Sequence, residues 1–163
     1  MDYPNLKPLD ELDRKIVRTL QADGRISNVE LARRVSLSPP AVHARIRRLE
    51  EQGYITGYRG MVQREYLGYD MLCFVHIGTA LNSPEQIGDV RSALAEIPEV
   101  LECHHVTGDF DYVIKVVVRN RQDLDHFVVN KLAAIAGIDR INTSIVLTEV
   151  KNTTQIPVVS NTD

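Results

Sequence analysis

Arg45, Arg47 and Arg48 crowd into one short stretch with His43 just before them, and no aspartate or glutamate occurs between Ser36 and Leu49. A guanidinium offers a planar fork of donors that fits phosphate oxygens or the O6 and N7 edge of guanine. His43 suits a phosphate or a base equally well, or is simply a solvated surface residue. A second constellation is Gly108-Asp109-Phe110-Asp111, a tight turn between two apolar runs. Asp and Gly are the residue types that turn geometry selects. His104 and His105 are adjacent in a strand-like run, so their side chains point to opposite faces and cannot chelate one ion. No nucleophile–base pairing, phosphate-binding glycine loop or metal-ligand spacing is present.

The arginines need a helix to present them. Residues 27–53 read as two short helices joined by a tight turn. Ser27 followed by Glu30 makes a capping box, and Leu31, Ala32 and Val35 form one apolar face. Ser36-Leu37-Ser38 breaks that helix, and Ser38 with Pro39 supplies an N-cap and an N1 proline for the next. Val42, Ile46 and Leu49 recur at i, i+4 and i+7, a single buried stripe. Most of His43, Ala44, Arg45, Arg47 and Arg48 must then point outward. Small residues at the helix start and guanidiniums further along suit a helix lying in a DNA major groove. Gly53 stands where a left-handed residue would end the helix. An earlier helix, N-capped by Asp10, carries Leu12, Ile16 and Leu20 and stops at Gly24, completing a three-helix headpiece. Residues 1–8 read as a loose arm. Residues 54–62 read as extended, either a small wing or a strand leading out of the domain.

From Asp70 the pattern becomes β-α-β-β-α-β, the split arrangement of ferredoxin-like domains. The strands fall at 71–79, 100–106, 112–118 and 141–150. One helix carries Ile87, Val90, Leu94 and Ile97, the other Leu124, Phe127, Val128, Leu132 and Ile135. In the first strand Met71, Cys73, Val75 and Ile77 oppose Leu72 and Phe74; in the third, Tyr112, Ile114, Val116 and Val118 oppose Val113 and Val117. Both faces of the sheet therefore read as largely apolar, and only one has helices to cover it. The same face of a second copy is the simplest cover, which predicts a two-fold dimer.

The fold class is α+β: a helix-turn-helix domain (winged-helix-like) at 1–60, a linker at 61–69, a ferredoxin-like domain at 70–152 and a polar tail at 153–163. With 163 residues, 44% of them apolar, the chain has enough material for two small cores. The net charge of −3 is unevenly placed: residues 1–60 hold 11 Lys and Arg against 8 Asp and Glu, residues 61–163 hold 8 against 14. Positive charge thus gathers where a nucleic-acid reader is expected. Cys73 and Cys103 lack metal-type spacing and read as buried thiols of a cytoplasmic protein. No apolar run is long enough to span a bilayer, and the first twenty residues do not resemble a leader.

The residues SLSPPAVHARIRRLEEQGYI, followed by a domain containing LECHHVTGDFDYVIKV, resemble the Lrp/AsnC (feast/famine) transcription regulators over roughly residues 9–152. The resemblance implies double-stranded DNA as one partner and an amino-acid effector rather than a tightly held cofactor. It also implies dimers that assemble further, often into octameric rings, with effectors bound where neighbouring regulatory domains meet. By position, Ser38, Pro40, His43, Ala44, Arg45, Arg47 and Arg48 match the DNA-facing helix, with Ser27 and Asn28 opening the supporting helix. Thr107, Gly108, Asp109, Phe110, Asp111 and Tyr112 match the effector loop, and Thr148 and Glu149 a region placed near it. A zwitterion needs a carboxylate for its ammonium and free N–H groups for its carboxylate, and this turn has both. Sirohaem decarboxylases are similar in plan and use histidines, so His43, His104 and His105 keep an enzyme as the alternative. A plain interaction module without DNA is a third.

Overall fold

The computed structural model describes residues 8–80 and 83–159. Most of the expected N-terminal arm and the last residues of the tail therefore lie outside the described residues. The chain divides into two compact units, one formed by residues up to 61 together with those from 151 onward, the other by residues 62–150.

The first unit holds three helices: α1 (Glu11–Ala22), α2 (Asn28–Val35) and α3 (Pro39–Glu51). Their apolar stripes converge, burying Ile16, Leu31, Val35, Val42 and Leu49 completely or nearly so, with Leu12, Leu20 and Ile46 packed around them. Each such side chain contributes about 1.5–3 kcal/mol when taken from water. The reciprocal capping box lies at α1 rather than at α2. There Asp13 N–H donates to the Asp10 carboxylate at 2.7 Å, and Asp10 N–H to the Asp13 carboxylate at 3.4 Å. At α2 only half of the expected box forms: Ser27 Oγ accepts from Glu30 N–H, but the Glu30 carboxylate turns to Arg33 and Arg34 instead. The α2–α3 turn passes through Ser36 in the left-handed region (φ 57°), and Ser38 caps α3.

Residues 55–63 carry no regular secondary structure, so neither a wing strand nor an exit strand is formed. The tail is tied back to α1 at one residue, Gln21. Gln21 accepts from Ile156 N–H at 2.7 Å, donates to the Ile156 carbonyl, and its own carbonyl accepts from the Gln155 amide.

The second unit is a four-stranded antiparallel sheet in the order β2-β3-β1-β4, built from β1 (Met71–Thr79), β2 (Val100–His105), β3 (Tyr112–Val118) and β4 (Ile138–Ile145). The helices α4 (Pro84–Glu96) and α5 (Arg121–His126) supply Val90, Leu94 and Leu124 to the core beneath it. Cys73, Val75 and Ile77 of β1 and Tyr112, Ile114, Val116 and Val118 of β3 face those helices. This is the ferredoxin-like arrangement expected from the element order.

Four details differ from what the sequence leads one to expect. β4 begins at Ile138 and ends at Ile145, not 141–150, because β1 runs out of residues to pair with it. Val146 N–H makes the last bond, to Leu72, and Leu147 beyond it is 94% exposed. α5 passes into a π-helix over Phe127–Leu132. Phe127 and Leu132 are five residues apart and both fully buried; an α-helix would set them about 140° apart, and the wider turn brings them to one side. The face away from the helices is mixed, with Lys115 and His76 among the apolar residues of its middle. The pairing register puts Leu72, Phe74, His76, Val113, Lys115 and Val117 in the centre, Glu102 and His104 on the β2 edge, and Arg140, Asn142 and Ser144 on the β4 edge. Leu72 and Val117 are buried within the chain, Val113 is half-buried, and Phe74 is 38% exposed. Polar edge strands are a common protection against uncontrolled pairing. Cys73 is buried as expected, whereas Cys103, on edge strand β2, is exposed; both are free thiols.

Candidate nucleic-acid interface and ligand site

Helical geometry sorts the α3 side chains. Pro40, His43, Ala44, Arg47 and Glu51 fall within an arc of about 100° opposite Val42, Ile46 and Leu49. All five are exposed. Arg47 makes only an i,i+4 pair with Glu51 at 2.8 Å, and both side chains are open to solvent. Such pairs are worth about 0.3–0.5 kcal/mol, so little holds Arg47 back from another anion. Ser38 Oγ accepts a cap bond from Ala41 N–H, as Ser27 Oγ does from Glu30 N–H. Both hydroxyls are exposed and keep an O–H to donate. Asn28 opens α2, also exposed.

Arg45 and Arg48 are placed otherwise. The sequence shows no acid beside them, but α1 brings two. Arg45 Nη1 donates to Asp10 at 2.6 Å and to Asp13 at 2.7 Å, and Arg48 Nη2 donates to Asp13 at 2.5 Å. The Asp13 side chain is 3% exposed, against 25% for Arg45 and 38% for Arg48. The two arginines are turned along the flank of α3 toward α1 instead of outward. Burial alone would raise the Asp10 carboxyl, but the Arg45 hydrogen bond, the Asp13 N–H and the Arg45 charge together hold it below its usual value. The same bonds, Asp10 first, push the Arg45 guanidinium higher still. On α2, hydrogen bonds from Arg33 and then Arg34 bring the Glu30 carboxyl down to about 2.

In the second unit, the turn after β2 lies at the end of β1 where Ile77 and Thr79 sit. Gly108 adopts φ 122°, a region that side-chain-bearing residues avoid. Asp111 fastens the loop: its carboxylate accepts from Thr79 N–H at 2.7 Å and from Thr79 Oγ1 at 2.8 Å, while Asp111 N–H donates to the Ile77 carbonyl. The Thr79 hydroxyl, then its N–H, holds the Asp111 carboxyl below the usual aspartate range. Arg140 braces the same loop from β4, donating to the Asp109 carbonyl at 2.6 Å with its guanidinium 5.1 Å from the Phe110 ring centre. Gly78 leaves room for this, since a Cβ there would stand 3.1 Å from Arg140 Nε.

An open concavity of about 480 Å3 lies against this loop on the helix-free face, lined by His76, Val106, Thr107, Asp109, Phe110, Val113 and Asn142. Among the expected effector residues, Thr107, Asp109 and Phe110 line it. Gly108 shapes the turn and Asp111 anchors it. Tyr112 faces the helices, its hydroxyl accepting from Arg91 Nε at 3.3 Å. Thr148 and Glu149 lie past the Leu72 end of β1, roughly 20 Å along the strand from the loop, so one chain does not bring them to it. Glu149 stands 3.7 Å from Arg64 there. His76, Val113 and Asn142 are the residues the sequence reading missed. They form one row across the sheet, visible only once the register is known. His76 Nδ1 is buried with no hydrogen-bond partner among the described residues. His104 and His105 diverge as expected, His104 toward Glu102 and His105 toward Arg91.

Two families match successive parts of the chain. Residues 9–56 match a winged helix-turn-helix DNA-binding family and residues 72–156 the Lrp/AsnC ligand binding domain. The leucine-responsive regulatory protein of Klebsiella pneumoniae is 40% identical over 150 residues, covering 92% of each chain. Among solved structures, a Neisseria meningitidis transcriptional regulator in complex with L-methionine superposes with a TM-score of 0.88 at 32% identity, covering 92% of this chain and 97% of that one. The feast or famine regulatory protein of M. tuberculosis, complexed with L-methionine, gives 0.83 at 35% identity, covering 91% and 99%.

Asp111→Ala is expected to loosen the loop while leaving the sheet intact, at a local cost of about 1.5–3 kcal/mol for the charge-assisted bonds. Hydrogen exchange at the Thr79 and Asp111 amides checks it, and should quicken in the variant. Because the folded carboxyl lies below its unfolded value, the same tether contributes in full above the ordinary aspartate range. It is lost only as pH falls through the lower folded value.

Proposed function

Since the chain belongs to the Lrp/AsnC family of DNA-binding transcriptional regulators, and is not an enzyme, we propose that it controls genes of amino-acid metabolism in the cytoplasm as an oligomer that responds to a free amino acid. The observation that carries the effector reading is the concavity beside the Asp111-anchored loop, with His76 Nδ1 buried and unpartnered in its wall. An unmet buried polar atom is costly, and a polar ligand group relieves that cost. Asp111 is occupied by Thr79, which leaves Asp109 as the carboxylate for an ammonium group. Thr107 and the turn N–H groups remain for the ligand carboxylate. Val106, Phe110 and Val113 suit an aliphatic or thioether side chain, consistent with the L-methionine held by two structural relatives.

The DNA-reading surface is the exposed arc of α3, with Ser38, Pro40, His43, Ala44 and Arg47, joined by Ser27 and Asn28 at the start of α2. Arg45 and Arg48 support the helix from its flank. The helix-free sheet face, where Phe74 is exposed and Val113 half-buried, is covered by a second copy. Two headpieces then meet two half-sites, and such dimers associate further, up to octamers. An effector bound beside that face changes DNA binding only through different affinity for different assembly states. Thr148 and Glu149, remote from the loop within one chain, reach an effector only from a neighbouring copy.

Arg47→Ala should weaken binding to an operator selected from a random duplex pool by about 1–3 kcal/mol without lowering the melting temperature. Anisotropy titration at moderate salt reads this, and an unchanged affinity would remove Arg47 from the reading surface. In a thermal-shift panel of the twenty amino acids, at least one with an apolar side chain should stabilise the protein, by about 2.7 kcal/mol at a hundred times its Kd. Asp109→Asn should abolish that shift.

A further inference from the structure

The headpiece is basic by count but not by geometry. Every arginine on α2 and α3 has a carboxylate partner: Arg33 and Arg34 on Glu30, Arg47 on Glu51, Arg45 on Asp10 and Asp13, and Arg48 on Asp13. These pairs are not equivalent. Arg33, Arg34 and Arg47 are at least half exposed and pair within their own helix, so a phosphate displaces the carboxylate at little cost. Arg45 and Arg48 share a carboxylate that is almost fully buried and that also caps α1. Two guanidiniums and two carboxylates make that cluster neutral, on the flank bordering the DNA-reading arc.

We propose that Asp10 and Asp13 are specificity-setting positioning residues: by neutralising Arg45 and Arg48 and holding them against α1, they keep the headpiece from gaining sequence-independent affinity. The inference rests on the DNA-reading role of α3. Affinity for arbitrary duplex comes almost wholly from phosphates neutralised by Lys and Arg, and each adds about 0.9 to the steepness of log K against log salt. Discrimination is the ratio of specific to non-specific binding, so a cation withheld from the backbone raises it. As packing alone, the cluster would be a poor choice, because well-fitted apolar residues usually stabilise a protein as much as a buried ion group. Arg48 Nε is itself buried without a hydrogen-bond partner, so the network does not satisfy every donor it sequesters.

Removing either carboxylate leaves one guanidinium charge uncompensated. Asp10→Asn is the cleaner variant, since Asn is as good an N-cap as Asp and Asp10 is half exposed. Glu11→Gln is the control: it removes the same charge from the adjacent residue, where Glu11 pairs with Arg14 and touches neither α3 arginine. Full-length protein is titrated by anisotropy against a random-sequence duplex and a duplex selected from a random pool, across a salt series. The expected result for Asp10→Asn is a random-duplex salt dependence steeper by about 0.9 per engaged headpiece, tighter random-duplex binding at low salt, and a smaller ratio of selected to random affinity. Glu11→Gln should match the unsubstituted protein, and Asp13→Asn should match Asp10→Asn where it folds. An unchanged slope in Asp10→Asn, an equal increase in Glu11→Gln, or a parallel loss of both affinities without steepening would each overturn the proposal. Unsubstituted protein with no salt-dependent duplex affinity would overturn the DNA reading beneath it as well.

Discussion

A single layer of helices covers one face of a sheet and leaves the other. In this chain α4, α5 and its π extension pack beneath Cys73, Val75, Ile77, Ile114 and Val116, while Leu72, Phe74, Val113 and Val117, with Lys115 among them, lie on the helix-free side. Leu72 and Val117 are buried within the chain, whereas Phe74 is exposed and Val113 half-buried, and the cover proposed above is a second copy of the same face. The regulatory consequences follow from that face's location. The concavity at His76 and Asn142 lies on the same side of the sheet, so a ligand there occupies the face through which copies are proposed to meet. Affinity for an effector and preference for an assembly are then linked reciprocally.

The headpiece works by a different balance. Its core is small, and caps and ion pairs add to the burial that fixes its helices. Asp13 belongs to three of these devices at once: it answers Asp10 in the capping box, receives Arg45 and receives Arg48. A buried carboxylate with two guanidiniums couples the first helix to the third, so the attitude of the reading helix depends on α1. The outward arc, in contrast, is held by almost nothing but helix geometry, which suits side chains that must meet a duplex.

Much of this was legible from local pattern. The spacing of Val42, Ile46 and Leu49 defined the buried stripe of α3, and alternation in 71–79 and 112–118 revealed the helix-covered face of the central strands. What escaped the sequence depends on pairs distant along the chain. Arg45 has no acid within its own neighbourhood, and its partners Asp10 and Asp13 are reached only after the helices fold together. The polar edges of the open face and the row His76, Val113, Asn142 require the strand register. Asp111 reads as a ligand carboxylate until Thr79, on a different strand, is found to occupy it. The five-residue interval from Phe127 to Leu132 was visible, but a helix of ordinary pitch offers no reason to widen there until both side chains are seen in one core.

Assembly is proposed to run through the helix-free sheet face. Sedimentation velocity on the purified chain at low micromolar concentration measures what that face does. A dimer or a larger multiple of the 18.4 kDa protomer is the result the account requires. A stable single protomer across that range would contradict it, since the helix-free face around Phe74 would then stay in water and the effector site would have no assembly to act through.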